Sequence, residues 1–555
     1  MTELLVVIVG ALVVIAASAL VGPRLGIASP LVLVAIGVAA SFVPMIGSAH
    51  IEPEWILEGI LPPLLYSSAV SMPAMNFRRE FGAISGLSVV LVVGSALALG
   101  LFFMLVVPGL GFAWGVALGA IISPTDAVAT SIVKRAPVSK RVVAMLDGES
   151  LLNDATALVL LRTAIVAAAA SFSFWGAVGT FAYAVAVALV IGWAVGWLNL
   201  LVRRHVSDPT VNTVISFAVP FVASVPAELL GASGLVAAVV AGLVTGIRAP
   251  RLLSPQNRLS DSQNWRTVEL VLEGVVFLTM GVQIMSIVTN VEREHAGVWV
   301  AVLVAAGALV LTILVRAAYV APLMRVLRGR YRQGERMRSN LQDMQQKMVT
   351  PEGKQETFEQ MTARRRRATE RDLERFARRV TQVLADLEYF RREPLGWREG
   401  TAVVWAGMRG AVTVAAAQTL PDSPQRPILV LIAFTVAMLS LLLQGGTIGP
   451  LLRLIAPKTD PAALEEQSNA EWTRIMELLR SSAASLPERP RPDGELTRET
   501  FDAMRSHQLL VIAAQRSALL DARDNGTFDA DVLENALANL DAAQIAIELR
   551  GRRGD

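Results

Sequence analysis

The sequence predicts an all-α polytopic membrane protein that also carries helical cytoplasmic segments. Of its 555 residues, 53% are hydrophobic and 17% are charged, and the mean hydropathy is +0.51. Apolar stretches of about 20 residues, long enough to cross a bilayer as a helix, recur along most of the chain. The loops between them alternate between basic and acidic or neutral, as expected for the two sides of a membrane. This composition excludes a soluble globular enzyme.

Hydropathy predicts about thirteen transmembrane spans when windows of about 20 residues are used. They lie near residues 3–21, 25–45, 55–72, 82–107, 111–133, 144–170, 174–201, 210–229, 232–248, 266–288, 296–324, 400–420 and 427–454. Basic loops follow every second span, for example at Arg24, Arg78 and Arg203, whereas Glu52 and Glu228 lie in loops of the other set. We expect a protein of the plasma (inner) membrane, and the positive-inside rule predicts that its N-terminus lies outside and its C-terminus in the cytoplasm.

Two soluble segments are predicted on the cytoplasmic side. Residues 325–398 form a strongly basic insertion, in which the spacing of Leu373, Phe376, Val380, Val383 and Leu387 indicates an amphipathic helix. Either a solvated helical hairpin or a surface that docks on anionic lipids fits this pattern. Residues 457–555 form a helical tail with a turn at 524–526. Because the tail has no catalytic motif, a regulatory or assembly role is expected.

Composition also limits the chemistry. The chain has no cysteine and four histidines, and all four fall in predicted loops or in the tail. Disulfides, thiolate metal sites and an intramembrane histidine metal or haem site are therefore excluded. We expect no cofactor, no enzymatic activity and no nucleic-acid partner.

A polar string, Asp147–Asp154, interrupts the apolar span 144–170. Each carboxylate at such depth costs about 2.5–3.5 kcal/mol, so the string should face protein or water and handle an ion or a proton. Ser150 and Asp154 share one helical face, and Glu149 and Asn153 share the neighbouring one. Their oxygen atoms suit a hard monovalent cation. A carboxylate can bind a proton or a cation but not both well, which is enough for exchange.

Simpler interpretations of these carboxylates stay open. Asp154 could make only a structural hydrogen bond. Glu149 could form a permanent salt bridge with Arg316, which lies within the eleventh span and also needs a partner. Glu269 and Glu273, spaced i,i+4 in the tenth span, fit a structural or a vestibule role.

Two further spans are predicted to be broken in the middle. Ser123-Pro124-Thr125-Asp126 contains a proline that removes a backbone hydrogen bond, so the freed groups need protein, water or an ion. A plain proline kink is the alternative. Gly407-Met408-Arg409-Gly410 places a permanently charged arginine between glycines. Spans 4–6 and 11–13 run in opposite directions, and each triplet has a broken middle member, which is typical of inverted repeats around a midplane ion site.

These motifs together resemble the cation:proton antiporter family of NhaP-like and NHE-like sodium/proton exchangers. The resemblance rests on Ser-Pro-Thr-Asp-Ala at 123–127, Gly-Glu-Ser-Leu-Leu-Asn-Asp at 148–154, Gly-Met-Arg-Gly-Ala at 407–411 and Gln-Gly-Gly-Thr at 444–447. It covers residues 5–455 in the same motif order. It implies an NhaA/NhaP-like transmembrane domain of thirteen helices over residues 1–456. A core of about 82–170 and 296–454 would slide against a homodimerisation domain of about 3–72 and 174–288.

The resemblance also implies roles for individual residues. Asp154 would carry the cation and the proton by turns, with Na⁺ held at Asp154, Ser150 and Thr125. The remaining assignments concern the shape and charge of the core: Asn153 with Ser150 shaping the site, Asp126 with Thr125 at the unwound crossing, Glu149 paired with Arg316, and Arg409 stabilising the core. Asparagine before the essential aspartate is associated with electroneutral exchange of one cation per proton.

The chain departs from the family pattern in one place. Some relatives carry an acidic residue after the two prolines of span three, whereas here Pro62-Pro63 is followed by Tyr66-Ser67-Ser68. A third core carboxylate from this span is therefore in doubt. The expected activity is Na⁺ (or Li⁺)/H⁺ antiport, with K⁺/H⁺ antiport as the alternative, and with a cation channel or an ion or pH sensor less favoured.

Overall fold

The structure is a computed structural model that describes residues 2–552 apart from 26–27, 44–51, 127, 135, 137, 170–173, 294–296, 349, 365–368, 424, 456–460 and 488–496. Ala127 of the first broken-span motif lies outside the described residues. The chain divides into two compact units. The first contains Met1–Leu253, Leu259–Met324 and Gly396–Ala456, and the second contains Ser254–Arg258, Arg325–Leu395 and Pro457–Asp555.

All regular structure in the described ranges is helical. The first half contains α1 Thr2–Leu25, α2 Ser29–Ser41, a π-helical turn Trp55–Ile60 that leads into α3 Leu61–Ser71, α4 Ala74–Val106, α5 Phe112–Ile122, α6 Val128–Val133, α7 Lys140–Ala169, α8 Phe174–Arg203, α9 Pro209–Leu229 and α10 Gly234–Leu252. The second half contains α11 Pro255–Val282, α12 Ile284–Arg293, α13 Val298–Lys347, α14 Pro351–Arg364, α15 Glu370–Arg392, α16 Trp397–Trp405, α17 Ala411–Gln418, α18 Arg426–Ile455, α19 Pro461–Ala484, α20 Arg498–Asn525 and α21 Ala530–Arg552.

Each predicted span falls on one helix or on a pair of helices, and nine helices within the described ranges are long and apolar enough to cross a membrane. The predicted fold class is therefore confirmed, whereas the count of thirteen stays a prediction. Three helices extend well beyond the spans predicted for them. Helix α4 begins at Ala74 rather than near residue 82, α11 begins at Pro255 rather than near 266, and α13 continues to Lys347 rather than ending near 324. Hydropathy falls where charged residues begin, but helical hydrogen bonding does not require apolar side chains.

Close contacts between small residues fix the helix that leads to the first break. A Cβ added to Gly119 of α5 would lie 2.5 Å from the Ala96 carbonyl oxygen of α4, and one added to Gly115 would lie 2.5 Å from that of Gly100. Glycine at these positions lets the two backbones approach closely, as is usual between helices in membranes. The end of α5 at Ile122 is thereby held against α4.

The second unit combines the insertion and the tail. Helices α19, α20 and α21 enclose an apolar core that includes Ile475, Leu519 and Leu533. Within the same unit, Gln382 of α15 donates to the Asp524 carbonyl oxygen over 3.0 Å. The turn predicted at 524–526 is present, since Gly526 ends α20 with φ of 73°. Glycine adopts this left-handed conformation without the penalty that a Cβ would bring.

Candidate cation site

The two broken helices cross and hydrogen-bond to each other. One break separates α5 from α6, and the other separates α16 from α17. The Asp126 backbone N–H donates to the Met408 carbonyl oxygen over 2.7 Å, and Arg409 Nε donates to the Ile122 carbonyl oxygen over 2.9 Å. Each break therefore satisfies polar groups that the other break leaves without helical partners. This is the condition under which irregular backbone is tolerated at membrane depth.

Asp126 lies inside this crossing. Its Oδ1 accepts a hydrogen bond of 2.9 Å from the Val128 backbone N–H at the start of α6. Its other carboxylate oxygen lies against Gly410, where an added Cβ would overlap it. Glycine at 410 is thus required by the close approach of the Asp126 carboxylate to the start of α17.

Arg409 is buried at the same crossing, with 2% of its surface exposed. Its guanidinium donates to the Ile122 and Gly407 carbonyl oxygens, and its backbone N–H donates to Ser440 Oγ over 2.9 Å. Ile122 is the last residue of α5, and Gly407 follows the end of α16. The carbonyl ends of helices carry partial negative charge, so one arginine stabilises two half-helix C-termini.

Glu149 of α7 and Arg316 of α13 form a buried bidentate ion pair. Arg316 Nη1 lies 2.5 Å from Glu149 Oε1, and Nη2 lies 2.7 Å from Oε2. Arg316 Nε also donates to the Val403 carbonyl oxygen of α16 over 2.8 Å, and Thr125 Oγ1 donates to Glu149 Oε1 over 3.3 Å. The planar guanidinium matches the carboxylate in geometry as well as in charge. The pair therefore joins α7, α13, α16 and the first break.

Asn153 is oriented by the first break. Its Nδ2 donates to the Thr125 carbonyl oxygen over 3.2 Å and to Thr125 Oγ1 over 2.6 Å. Its Oδ1 is buried and has no hydrogen-bond partner within the described part of the chain. The amide thus fixes Thr125 beside α7 and leaves one neutral oxygen available.

Asp154 and Ser150 line a cavity of about 280 Å³ together with Thr125 and Asp126. Asp154 is 6% exposed, lies close enough to Asp126 for the two charges to interact, and makes no hydrogen bond or ion pair with any described residue. Ser150 Oγ donates to the Asp147 carbonyl oxygen over 3.1 Å, so its lone pairs remain available as ligands. A cluster of hydroxyl and carboxylate oxygens around one unpartnered carboxylate can bind a monovalent cation or a proton.

The same cavity, here called the first cavity, extends to charged residues of other elements. Glu269 and Glu273 of α11 line it, as do Lys134 and Asp147, whose side chains form an ion pair of 3.0 Å. The Lys134 side chain is 54% exposed, which places the ion pair at the mouth of the cavity.

A second cavity, of about 550 Å³, lies toward the other end of α7. Arg162, Glu58 and Glu228 are among the residues that line it, whereas Asp154 is not. Asp147 and Arg162 are about 22 Å apart along the helix at 1.5 Å per residue. An apolar cluster from α3, α7 and α10 contributes Leu61 and Leu151 to the lining of the first cavity and Leu235 to the lining of the second. Asp154 therefore reaches one cavity only.

Sequence reasoning missed two features of this region. Thr413 in the first turn of α17 is 1% exposed and lines the first cavity, and its hydroxyl has no hydrogen-bond partner among the residues that the structure describes. A polar residue three positions after the second break was the available signal. Glu80 and Arg141, which both fall between predicted spans, form a buried ion pair of 2.5 Å. No local pattern connects residues so far apart in sequence.

Two crossed, interrupted helices, with a buried carboxylate beside them that has no partner among the described residues, are typical of secondary transporters that bind ions at the bilayer midplane. The chain belongs to the sodium/hydrogen exchanger family, because the family model described as "Sodium/hydrogen exchanger, transmembrane" matches residues 8–349 and 375–454. The solved structure of the sodium proton antiporter MjNhaP1 from Methanocaldococcus jannaschii has the same fold, with a TM-score of 0.54 at 15% identity, over 82% of this chain and 100% of that one.

Two curated relatives have closer sequences. The uncharacterized Na⁺/H⁺ exchanger YjcE of Escherichia coli is 35% identical over 46% of this chain and 49% of its own length. A sodium, potassium, lithium and rubidium/H⁺ antiporter of Bacillus subtilis is 30% identical over 48% of this chain and 41% of its own length. The matched region is thus a little under half of this chain and a little under half of each of these two relatives.

Replacing Arg316 with glutamine should destabilise the protein strongly, because Glu149 would keep a buried charge without its partner. Removing one member of a buried pair typically costs about 3–5 kcal/mol. We expect a large fall in the detergent-solubilised unfolding temperature for Arg316→Gln and a smaller fall for the double variant Glu149→Gln/Arg316→Gln. The matched control is Arg391→Gln, which breaks the half-exposed Arg391–Glu388 pair. Equal effects of Arg316→Gln and Arg391→Gln would contradict the structural role of the buried pair.

Proposed function

We propose that the protein exchanges Na⁺ or Li⁺ for H⁺ across the plasma membrane by alternating access, with one cation moved per proton. The proposal rests on the surroundings of the Asp154 carboxylate. Asp154 is buried and lines the first cavity but not the second, and no described residue donates a hydrogen bond to its carboxylate. A buried carboxylate in a membrane protein is costly unless it is occupied or functional.

The cation flux and the proton flux are coupled because a cation and a proton compete for Asp154. When Asp154 is ionised, its charge and the hydroxyl oxygens of Ser150 and Thr125 attract a small hard cation. When Asp154 binds a proton, the attraction disappears and the cation leaves. Because an empty ionised carboxylate is costly to move through an apolar region, the site crosses the barrier only when it is occupied. That condition links the two fluxes without any chemical reaction.

Alternating access requires that the apolar cluster separate Asp154 from the second cavity in one state and from the first cavity in the other. In this structure Leu61 and Leu151 line the first cavity, and Leu235 lines the second. A relative movement of α7 against α3 and α10 would close the first cavity and expose Asp154 to the second. Packed helices slide as rigid bodies between two arrangements more readily than they deform, and this movement would be of that kind.

K⁺/H⁺ exchange on the same scaffold is the second candidate. It is favoured by the similarity to the Bacillus subtilis antiporter, whose name includes sodium, potassium, lithium and rubidium. The first cavity supplies hydroxyl and carboxylate oxygens, which are ligands for any of these cations. Selectivity among these cations depends on the spacing of the ligands. A comparison of the fluxes that Na⁺, Li⁺ and K⁺ drive therefore decides between the two candidates.

Replacing Asp154 with asparagine should abolish cation-dependent proton movement, because an amide neither binds a proton at neutral pH nor attracts a cation. The measurement is dequenching of a pH-sensitive dye in proteoliposomes on addition of Na⁺, Li⁺ or K⁺ in turn. The control is Asp422→Asn, the same chemical change at a residue whose side chain is 96% exposed. Exchange that persists in Asp154→Asn would refute the assignment, and cation flux without proton counter-flux in the unmodified protein would favour a channel.

Exchange should be electroneutral, because Asn153, whose amide donates to Thr125, carries no charge and leaves Asp154 as the carrier carboxylate. We expect the Na⁺-driven proton flux to stay constant when the membrane potential is clamped at different values with K⁺ and valinomycin. A flux that rises with an imposed potential in the direction of net charge movement would refute one-for-one exchange.

The proposed orientation places the first cavity on the cytoplasmic side. The chain has no cysteine, so single cysteines report accessibility without a modified background. Gly111→Cys should react with a membrane-impermeant maleimide on intact cells, whereas Ser207→Cys should react only after permeabilisation. Both positions are exposed. The reverse pattern would invert the topology. The homodimer, the anionic-lipid contact of residues 325–398 and the regulatory role of the tail stay predictions.

A further inference from the structure

Two carboxylates of α11 lie in the first cavity, although α11 carries none of the family motifs. Glu269 and Glu273 both line the cavity. Their spacing of four residues places them on one face of the helix, one turn apart. The Ser67 hydroxyl donates to Glu269 Oε2 over 3.3 Å. Ser67 belongs to the stretch after Pro62-Pro63, where some relatives carry an acidic residue.

These carboxylates form a connected series with the binding site. Glu269 interacts electrostatically with Lys134 and Asp147 at the mouth of the cavity. Glu273, Asp126 and Asp154 line the same cavity, close enough for the charge of Asp126 to act on both of the other carboxylates. A cation in this cavity is therefore within reach of Glu269 and Glu273 as well as of the crossing.

The members of the series differ in whether they have partners. Asp147 is paired with Lys134, Glu269 accepts from Ser67, and Asp126 accepts from Val128. Glu273 has neither a hydrogen bond nor an ion pair with any residue that the structure describes, which is the condition of Asp154 as well. The first cavity thus contains two carboxylates that protein groups leave unsatisfied, carried by different helices.

A second residue of the first cavity, Thr413, has a neutral oxygen without a partner among the described residues. The Thr413 hydroxyl is 1% exposed, belongs to a residue that lines the first cavity, and has no hydrogen-bond partner in the described structure. A buried hydroxyl without a partner costs about 1–3 kcal/mol. Thr413 follows Gly410, whose Cβ position is occupied by the Asp126 carboxylate. The unsatisfied hydroxyl thus belongs to the first turn of the helix whose start contacts Asp126, and Thr413, Glu273 and Asp126 line one cavity.

We propose that Glu273 and the Thr413 hydroxyl form a second cation-binding position beside Asp126, at which a monovalent cation is held before it moves to Asp154. This inference rests on the proposed function. The position combines one charged and one neutral oxygen ligand, and Asp126 connects it to the carrier. It would accept Na⁺ or Li⁺ from the first cavity and raise the local concentration of cation at Asp154.

A loading position has an asymmetric kinetic signature. In this structure Glu273 lines the first cavity and is absent from the lining of the second. Its removal should weaken cation binding from the side of the first cavity and leave binding from the other side unchanged. A residue that merely stabilises the fold would alter both directions together, or would lower the maximal rate.

The experiment measures the half-saturating Na⁺ and Li⁺ concentrations for proton exchange in everted and in right-side-out membrane vesicles. For Glu273→Gln we expect a rise of about tenfold, equivalent to about 1.4 kcal/mol, on the side of the first cavity, and no change on the other side. Thr413→Val, which keeps the shape of the side chain and removes its hydroxyl, should shift the same value in the same direction. Glu273→Asp should restore part of the loss. The control Glu52→Gln makes the same chemical change at an exposed residue.

An unchanged half-saturating concentration in Glu273→Gln and Thr413→Val, or an equal rise on both sides, would overturn the loading position. If Glu273→Gln does not fold, Thr413→Val and Glu273→Asp decide the question by the same one-sided criterion. Failure of the unmodified protein to exchange cations for protons would overturn the proposed function instead. The two failures are therefore distinguishable.

Discussion

The hydrogen bonds between the two interrupted helices are the constraint on which the rest of the site depends. A helix broken at membrane depth exposes backbone groups that lipid cannot satisfy. Here the bonds from Asp126 to Met408 and from Arg409 to Ile122 remove that cost only while both breaks lie together. Any displacement of one break would leave the other unsatisfied. The crossing should therefore move as a rigid body.

Buried charges are distributed around this crossing so that most of them are compensated. Arg316 neutralises Glu149, and Arg409 binds the carbonyl ends of two half-helices. Such groups cost free energy in isolation and are retained when their partners are well placed. Asp154 differs, because no described residue donates to it. The scaffold thus holds its structural charges in fixed pairs and leaves the carrier carboxylate available for an exchangeable partner.

The sequence predicts those parts of the site that depend on local chemistry. Pro124 and the glycines around Arg409 mark the two breaks, because backbone geometry at these residues is decided within a few positions. The pair of Glu149 with Arg316 follows from the cost of leaving either charge alone. Thr413 and the pair of Glu80 with Arg141 could not be predicted in this way. Their significance comes from packing between distant segments, and Glu80 also belongs to a helix that continues beyond its apolar part.

A loading position at Glu273 is compatible with exchange of one cation per proton. The stoichiometry is the ratio of the ions that cross the membrane, and it does not depend on how many carboxylates bind an ion on the way. In this structure Glu273 lines the first cavity alone, so an ion or proton held there either moves on to Asp154 or returns before that cavity closes. The charge that crosses is then set by Asp154 and by the neutral amide of Asn153, which Thr125 holds in place. Glu273 would change the cation concentration at which exchange reaches half its maximal rate, and the ratio of the two fluxes would stay the same.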